Sequence, residues 1–519
     1  GGRCANMLRQ AARFARQAVQ RRPVAVTTAL ATASAVLTTS ISLAEASPSG
    51  KIYRSDEVAK HKTEQERVWI TYKDGVYDIT DFIPNHPGGK DKIILASGGA
   101  IDPFWRVYQQ HFNSALPMQL LEPLRIGTLH PDDFAKLQAA AAKDPGDPYS
   151  NDPPIHPALM AHSMKPCSAE VPAALIMESW ITPNDLWYVR NHHPVPDLDF
   201  KTHTLQVEGL GVKPRTFTVE QLQQLGPKQS VTTTIQCGGN RRGGLDGVRK
   251  TSGTAWGCGA ISTAEWGGVY LRDVLRSSGM KSVGQAQHVH FEATDGMIVS
   301  IPIHKAVGED HDVMIAWEMN GEPIPRSHGG PMRVIVPGYV GVRNLKWASV
   351  VRPAADEAEG IWQRGMNYKG FSPSVFDLKN VNLAEIPTIN EQPVQSAVAS
   401  PLPNSTVEVS DTVSASGWAF SGGGRGIVRV DVSADNGATW TTATLGEGKE
   451  QPLHKAWAWT FWEAEVPVPK GVRNGVKLEL LCKATDASYN VQPERADGIW
   501  NLRGLNNNCW HRVQFVADK

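Results

Sequence analysis

The sequence predicts an α+β multidomain chain closed by a β-sandwich, and three observations carry that prediction. Its 519 residues exceed one ordinary core and suit two to four domains. Residues 49–129 form a block of short apolar runs bounded by turns, and residues 130–157 then shift to alanine, aspartate and proline. From residue 396 to 519 alternating strands take over, the pattern of a sandwich. The region between, 158–395, mixes strand-like runs (230–237, 334–337) with helical ones (219–225, 271–277) and reads as a single α+β domain.

Residues 1–48 precede the first folded block. Arg3, Arg9, Arg13, Arg16, Arg21 and Arg22 are spread along an Ala-rich stretch with no acid before Glu45, the pattern of a mitochondrial import presequence. The uncharged run 23–44 is close to the roughly 20 residues a membrane span requires. It reads as a sorting signal for the intermembrane space, with a retained anchor as the alternative. Lysine plus arginine and aspartate plus glutamate number 52 each, so removing those six arginines leaves a net charge of −6 on the remainder. That balance argues against nucleic acid as partner, because neutralising phosphates needs clustered positive charge. It suits docking to a basic protein.

In the block 49–129, the run Val68-Trp69-Ile70-Thr71-Tyr72 and the run Val76-Tyr77-Asp78-Ile79 flank a turn at Asp74-Gly75. His86 then heads Pro87-Gly88-Gly89, a rigid turn poor in side chains that leaves room for a flat cofactor against the imidazole. His111 follows a segment in which Asp102 suits a helix cap and Pro103 a first turn. Two histidines on opposite faces give a six-coordinate iron with no open position, a centre for electron transfer. With its Leu124-Arg125-Ile126-Gly127-Thr128-Leu129 ending, this block resembles the cytochrome b5 family, which implies haem b on His86 and His111. The next segment, 130–157, reads as a flexible linker stiffened in part by proline.

The six cysteines are scattered, without a CxxC pair or a zinc spacing, so a metal must come with a cofactor. Cys237 stands in Thr234-Ile235-Gln236-Cys237-Gly238-Gly239-Asn240-Arg241-Arg242, at the end of a strand and before two glycines and two arginines. A thiolate beside such charge, with bare backbone next to it, suits a metal ligand; a buried inert cysteine suits the same residues. The wider sequence separates the two readings. Residues 178–519 resemble the sulfite oxidase family through Trp187-Tyr188-Val189-Arg190-Asn191-His192, the Cys237 motif, Trp256 before Gly259-Ala260-Ile261, Met319-Asn320-Gly321-Glu322-Pro323, Tyr368-Lys369-Gly370-Phe371 and Trp500-Asn501-Leu502-Arg503-Gly504.

That resemblance implies an oxidoreductase that turns sulfite into sulfate on one molybdenum-molybdopterin per subunit. Cys237 is the implied molybdenum ligand. Arg190, Arg242 and Arg503 form an anion pocket lined by Trp256 and Tyr368, and guanidinium forks suit such an oxyanion. The pterin and its phosphate fall to Tyr188, Val189, Arg190, Asn191, His192, Asp295, His328, Arg333, Asn344, Leu345 and Lys346. The resemblance further implies an immunoglobulin-like C-terminal domain that forms a homodimer, and cytochrome c as acceptor in the intermembrane space. Two departures from the family pattern stand out: the loop 294–299 is short and lacks a tyrosine, and Ser252 lies where a lysine is usual.

Two competitors share parts of this pattern. In nitrate reductases the b5 block follows the molybdenum block and a flavin domain comes last, whereas here b5 comes first and no flavin segment remains. A b5 carrier fused to a catalytically dead molybdenum fold conflicts with the presence of Cys237 and all three arginines.

The 396–519 segment places Val428, Val430 and Val432 on one face before an Asn436-Gly437 hairpin turn. Val476, Leu478, Leu480 and Cys482 repeat the alternation.

Overall fold

The computed structural model of the chain describes residues 51–86, 93–102, 105, 115–143 and 147–518. The presequence and sorting segment, His111 and the Pro87-Gly88-Gly89 turn lie outside the described residues.

Described residues up to Asp102, with 115–139, form one compact unit. Its sheet orders the strands Ile52–Tyr53, Arg125–Leu129, Gly75–Asp78 and Trp69–Tyr72. The hairpin pairs Tyr72 with Gly75, so its two loop residues are Lys73 and Asp74, one place before the expected turn, and Lys73 takes the left-handed conformation (φ 51°). Tyr53, Val58, Val76 and Leu129 pack as one core. His86 follows the 3-10 turn Thr80–Asn85 in extended backbone, with its ring edge-on to Phe82 at 6.0 Å.

The expected flexible linker is helical over its first half, Pro131–Lys143. Proline suits the first helical position, Asp132 and Asp133 suit the dipole there, and the alanine run propagates the helix. The first turn is anchored: Asp133 accepts from Ser55 N (3.1 Å) and pairs with Arg54 Nε (3.1 Å). Alanine next to proline is also spacer composition, and here helix propensity prevails.

The remaining residues, from 147 on, belong to the second unit. One five-stranded sheet runs Gln229–Gln236, Ile261–Tyr270, Met314–Met319, Glu322–Pro323, with Arg333–Ile335 also on Met314–Met319. A second sheet orders Ile298–Pro302, His288–Ala293, Ala348–Ala354, Thr204–Val207 and Arg215–Thr218. Helix Val219–Gln223 begins with a capping box between Thr218 and Gln221, and helix Leu271–Ser277 buries Leu271, Val274 and Leu275.

The C-terminal strands form two further sheets. Gln395–Ser400, Thr412–Phe420, Thr460–Pro467 and Thr444–Leu445 make one; Thr406–Glu408, His511–Asp518, Lys477–Asp486, Ile427–Ser433 and Thr441–Thr442 make the other. Their inner faces pack Val430, Val432, Leu480, Cys482, Trp462 and Phe515 into one core. Val428 departs from the expected face: it is 47% exposed, because the register against Lys477–Asp486 shifts between Ile427 and Arg429 and that bulge turns the side chain outward. Asn436 and Gly437 both have positive φ, as the turn requires. The sandwich also shares a core with the first sheet of this unit: Ala397, Trp418, Trp457, Trp459 and Phe461 pack with Ile235, Cys237 and Trp256.

The bulge makes a stability prediction. Leu480→Ala, at a fully buried inner position, is expected to cost about 2–5 kcal/mol, while Val428→Thr is expected to change stability by less than about 0.5 kcal/mol. Denaturant titration of both variants checks this, and a Val428→Thr loss matching that of Leu480→Ala would contradict the placement.

Candidate active site

The strand Gln229–Gln236 delivers Cys237 beside the far end of its neighbour, where Cys237 N donates to Ala260 O (3.0 Å). The thiol is buried and accepts from Gly239 N at 3.4 Å. A Cβ on Gly239 would lie 2.6 Å from Arg242 Nη2, so the turn needs bare backbone there. Arg241, in the left-handed conformation (φ 61°), reverses the chain into the short helix Arg242–Asp246.

Both arginines are buried and bond to main-chain carbonyls. Arg242 Nε donates to Arg503 O and Gly504 O (3.2 and 3.0 Å), and its Nη1 donates to Thr254 O (2.7 Å). Arg241 reaches into the sandwich, donating to Ser396 O and Trp510 O, both at 3.2 Å. Arg503 Nη1 donates to Ser252 Oγ (2.6 Å), while its Nε is buried without a partner. Arg190 Nη1 donates to Ser168 Oγ (3.4 Å) and to Asn191 O.

Burial, then the neighbouring guanidiniums, hold Arg242 and Arg503 below the usual arginine range. Arg190 acts on both, which places the three cations within one another's field. Among the described residues none of the three forms a salt bridge to a carboxylate. Tyr368 is buried beside them; burial and the Cys237 thiol push its hydroxyl up to about 12, so it keeps its proton.

A cavity opens beside the thiol, lined by Tyr188, Arg190, His192, Cys237, Asp295, His328, Arg333, Asn344, Leu345, Lys346 and Tyr368 among others. Arg190, Arg333 and Lys346 bring positive charge to its wall. Burial, then Arg333, lowers Lys346 to about 7; burial, then Lys346 and Arg333, lowers His328 to about 3, leaving it neutral. Lys346 Nζ donates to Asn191 and to Ser327 O (2.9 Å), and Arg333 donates to Asn344 O (3.2 Å) and His328 O (2.8 Å). Asp295 reaches the cavity despite its short loop and pairs with His193 at 3.4 Å.

Not every expected residue lines this cavity. Val189 is buried in a strand that pairs with Ala169, and Asn191 acts through Lys346. Arg242 stands in the field of the thiol and Arg503 in that of Arg242 and Tyr368, and neither lines the wall of the cavity. Trp256, fully buried, lines a separate groove with Glu170 and Gly257 and packs edge-on against His162 at 5.0 Å.

Other residues were missed. Asn240 accepts from Ala260 N (3.0 Å), Arg241 ties the thiol turn to the sandwich, and Arg343 is fully buried with its guanidinium on Asn390, Trp362 O and Ile389 O. The Asn240-Arg241 pair adjoining Cys237 was a usable signal; Arg343 gave none.

Family models match three stretches: a cytochrome b5-like heme/steroid binding domain at 54–130, an oxidoreductase molybdopterin binding domain at 192–362 and a Mo-co oxidoreductase dimerisation domain at 386–517. The chain is 45% identical to a sulfite oxidase of Gallus gallus over 90% of this chain and 100% of that one. The chain belongs to the sulfite oxidase family. A mitochondrial sulfite oxidase of Homo sapiens is 44% identical over 91% of this chain and 86% of its own. The sulfane dehydrogenase of Paracoccus pantotrophus has a similar structure, with a TM-score of 0.54 and 25% identity over 67% of this chain and 83% of that one. As a family member the chain is an oxidoreductase with molybdopterin and b5-type haem domains.

The depressed Lys346 predicts a pH dependence. A lysine that titrates near 7 when folded and near 10.4 when unfolded binds fewer protons folded within that window, so stability rises with pH across it. The penalty is fully present below pH 7. Cofactor-free Lys346→Met is expected to lose this slope, its advantage over the wild type shrinking by on the order of 2 kcal/mol from pH 6 to pH 9. Parallel stability curves for the two proteins would contradict it.

Proposed function

We propose that the chain oxidises sulfite to sulfate with uptake of water, releasing two electrons and two protons, and passes the electrons singly through its haem domain to cytochrome c. The observation that carries the reading is the cluster of three guanidinium groups, one of them in the field of the buried Cys237 thiol, that among the described residues make no salt bridge to a carboxylate. Guanidiniums in a dry site bind small oxyanions by charge-assisted, often bidentate, hydrogen bonds. The unpartnered Nε of Arg503 is a donor left over for such an anion.

The residues fit the family's cofactors. Cys237 is a buried thiol in the lining of the cavity and would hold the molybdenum. Tyr188, His192, Asp295, His328, Arg333, Asn344, Leu345 and Lys346 would hold the pterin and its phosphate, with Val189 and Asn191 supporting them from behind. His86, half-buried at the end of its turn, suits one haem ligand, and His111 is the proposed second. When bound, the molybdenum cofactor supplies a two-electron redox couple and the haem a one-electron relay.

The protein's own residues do the rest. Arg190, Arg242 and Arg503 hold the anion's oxygens, and the neutral Tyr368 hydroxyl donates to them without adding charge. Trp256 excludes water from behind the loop that supports Arg242. The arginine-rich leader, the net charge of −6 after it and the mitochondrial human relative support a place in the mitochondrial intermembrane space. The match at 386–517 supports a homodimer through the C-terminal domain.

Molybdenum content measured alongside sulfite-dependent cytochrome c reduction tests the reading: a molybdenum-loaded chain inert to sulfite would overturn it. Arg190→Gln is expected to raise the KM for sulfite ten- to a hundredfold, the equivalent of roughly 1.5–3 kcal/mol for a lost hydrogen bond to a charged group. Cys237→Ser trades a soft ligand for a hard, poorly ionised one and is expected to abolish turnover even at saturating sulfite with the pterin still bound. His86→Ala is expected to remove the six-coordinate haem spectrum and cytochrome c reduction, while a small artificial oxidant still accepts electrons.

A further inference from the structure

Behind the Cys237 turn lies a carboxylate that the proposed chemistry does not use. Glu170, at the end of strand Cys167–Glu170, has a side chain only 2% exposed. Its Oε1 accepts from Gly257 N (2.9 Å) and lies 2.7 Å from His162 Nε2, and its Oε2 accepts from Gly259 N (2.9 Å). Two amides two residues apart thus meet the two oxygens of one carboxylate.

The segment 254–260 presents its other side to the thiol turn. Thr254 O accepts from Arg242 Nη1 (2.7 Å), Trp256 O from Gly243 N (3.0 Å), Gly257 O from Arg241 N (2.7 Å) and Ala260 O from Cys237 N (3.0 Å). These four contacts go to the turn that carries Cys237 and Arg242, as does Ala260 N, which donates to Asn240 Oδ1 (3.0 Å). The segment is one layer thick, with the thiol turn on one side and, on the other, Glu170 and Val171, whose N donates to Gly259 O (3.1 Å). Its backbone lies so close to the next strand that a Cβ on Gly259 would sit 1.9 Å from Val171 O. His162 bridges the two halves of the contact, bonding Glu170 through Nε2 while its ring meets the Trp256 indole edge-on.

A buried carboxylate is a costly way to satisfy two amides, since charge burial demands full pairing. A neutral amide side chain would accept from one glycine and turn its own donor toward the other. Charge-assisted bonds are shorter and about twice as strong as neutral ones, which suits a part that must not yield.

We propose that Glu170, backed by His162, is a positioning residue for the anion site: it clamps Gly257 and Gly259 on one side of 254–260 so that Thr254 O, Trp256 O, Gly257 O and Ala260 O hold the Arg242 guanidinium and the Cys237 turn in register. The proposal rests on the sulfite reading for its kinetic readout.

The test uses the holoenzyme. Glu170→Gln is expected to raise the KM for sulfite at least tenfold with kcat lowered less than threefold, and to speed amide exchange at Gly257 and Gly259 at least tenfold while the sandwich strands exchange as in the wild type. An unchanged KM, unchanged exchange at the two glycines, or faster exchange throughout the chain would each overturn the proposal. His162→Gln keeps a donor to Oε1 but removes the ring from Trp256; it is expected to raise KM about threefold with exchange at the two glycines unchanged. Should Glu170→Gln fail to fold, that rise sustains the clamp and an unchanged KM overturns it. A wild-type holoenzyme inert to sulfite would instead sink the sulfite reading, leaving the exchange measurements to judge the clamp.

Discussion

The site depends on two adjacent buried arginines bonded to main-chain carbonyls instead of carboxylates. Arg242 gathers Thr254 O, Arg503 O and Gly504 O, and Arg241 gathers Ser396 O and Trp510 O. These carbonyls come from a loop of the central sheet region, from the first strand of the sandwich and from the C-terminal segment. The thiol turn therefore closes only when all three are in place. That explains why the sandwich shares its tryptophan core with the strand leading to Cys237: Thr234 N donates to Trp457 O (3.0 Å) and Trp459 N to Thr234 Oγ1 (2.8 Å). A domain linked to assembly by its family is also part of the scaffold of the site.

How much of this was legible in the sequence follows from the range of the interactions involved. Local patterns were read well: the strand into Cys237, the helix Leu271–Ser277 and the Asn436-Gly437 turn each depend on neighbours a few residues away. Motif resemblance gathered Tyr188, Arg190, Lys346 and Tyr368, which lie far apart in sequence and in one cavity in space. Failures came where a distant partner decides. Val428 fits the period-two pattern, but the bulge against the neighbouring strand turns it outward. The helix Pro131–Lys143 suits its own residues, but its first turn is anchored by Asp133 on Arg54 and Ser55, a partnership that composition does not reveal. Arg241 and Arg242 look equivalent on the page, and only the left-handed backbone at Arg241 sends one toward the sandwich and the other toward Thr254.

The pocket also sets its charge by choosing neutral partners. Arg503 leans on Ser252 Oγ, Lys346 on Asn191 and Ser327 O, and Arg333 on Asn344 O and His328 O. A carboxylate in any of these places would hold the cation equally still but cancel its field. Hydroxyl, amide and carbonyl oxygens fix geometry and leave the positive potential for an incoming anion, which is what electrostatic preorganisation requires. Ser252, which departs from the family pattern, fits this logic: a lysine there would add charge, whereas the serine orients a charge already present.

This arrangement stores its cost in the folded protein. Desolvation, then neighbouring cations, depresses Arg242, Arg503 and Lys346 together, and outweighs the opposing pull of Asp246 on Arg242 and of Asp295 on Lys346. Each depressed pKa means that the cavity holds its cations against a penalty which a bound anion would relieve, so anion binding and stability are linked. The penalty is tolerable because converging carbonyls, with the Ser252 hydroxyl and the Asn191 amide, share the load. Loosening any of the three segments that supply them should therefore weaken anion binding before it unfolds the sheet, because the guanidiniums lose their orientation while the hydrophobic core around Trp187, Trp266 and Ile235 remains intact.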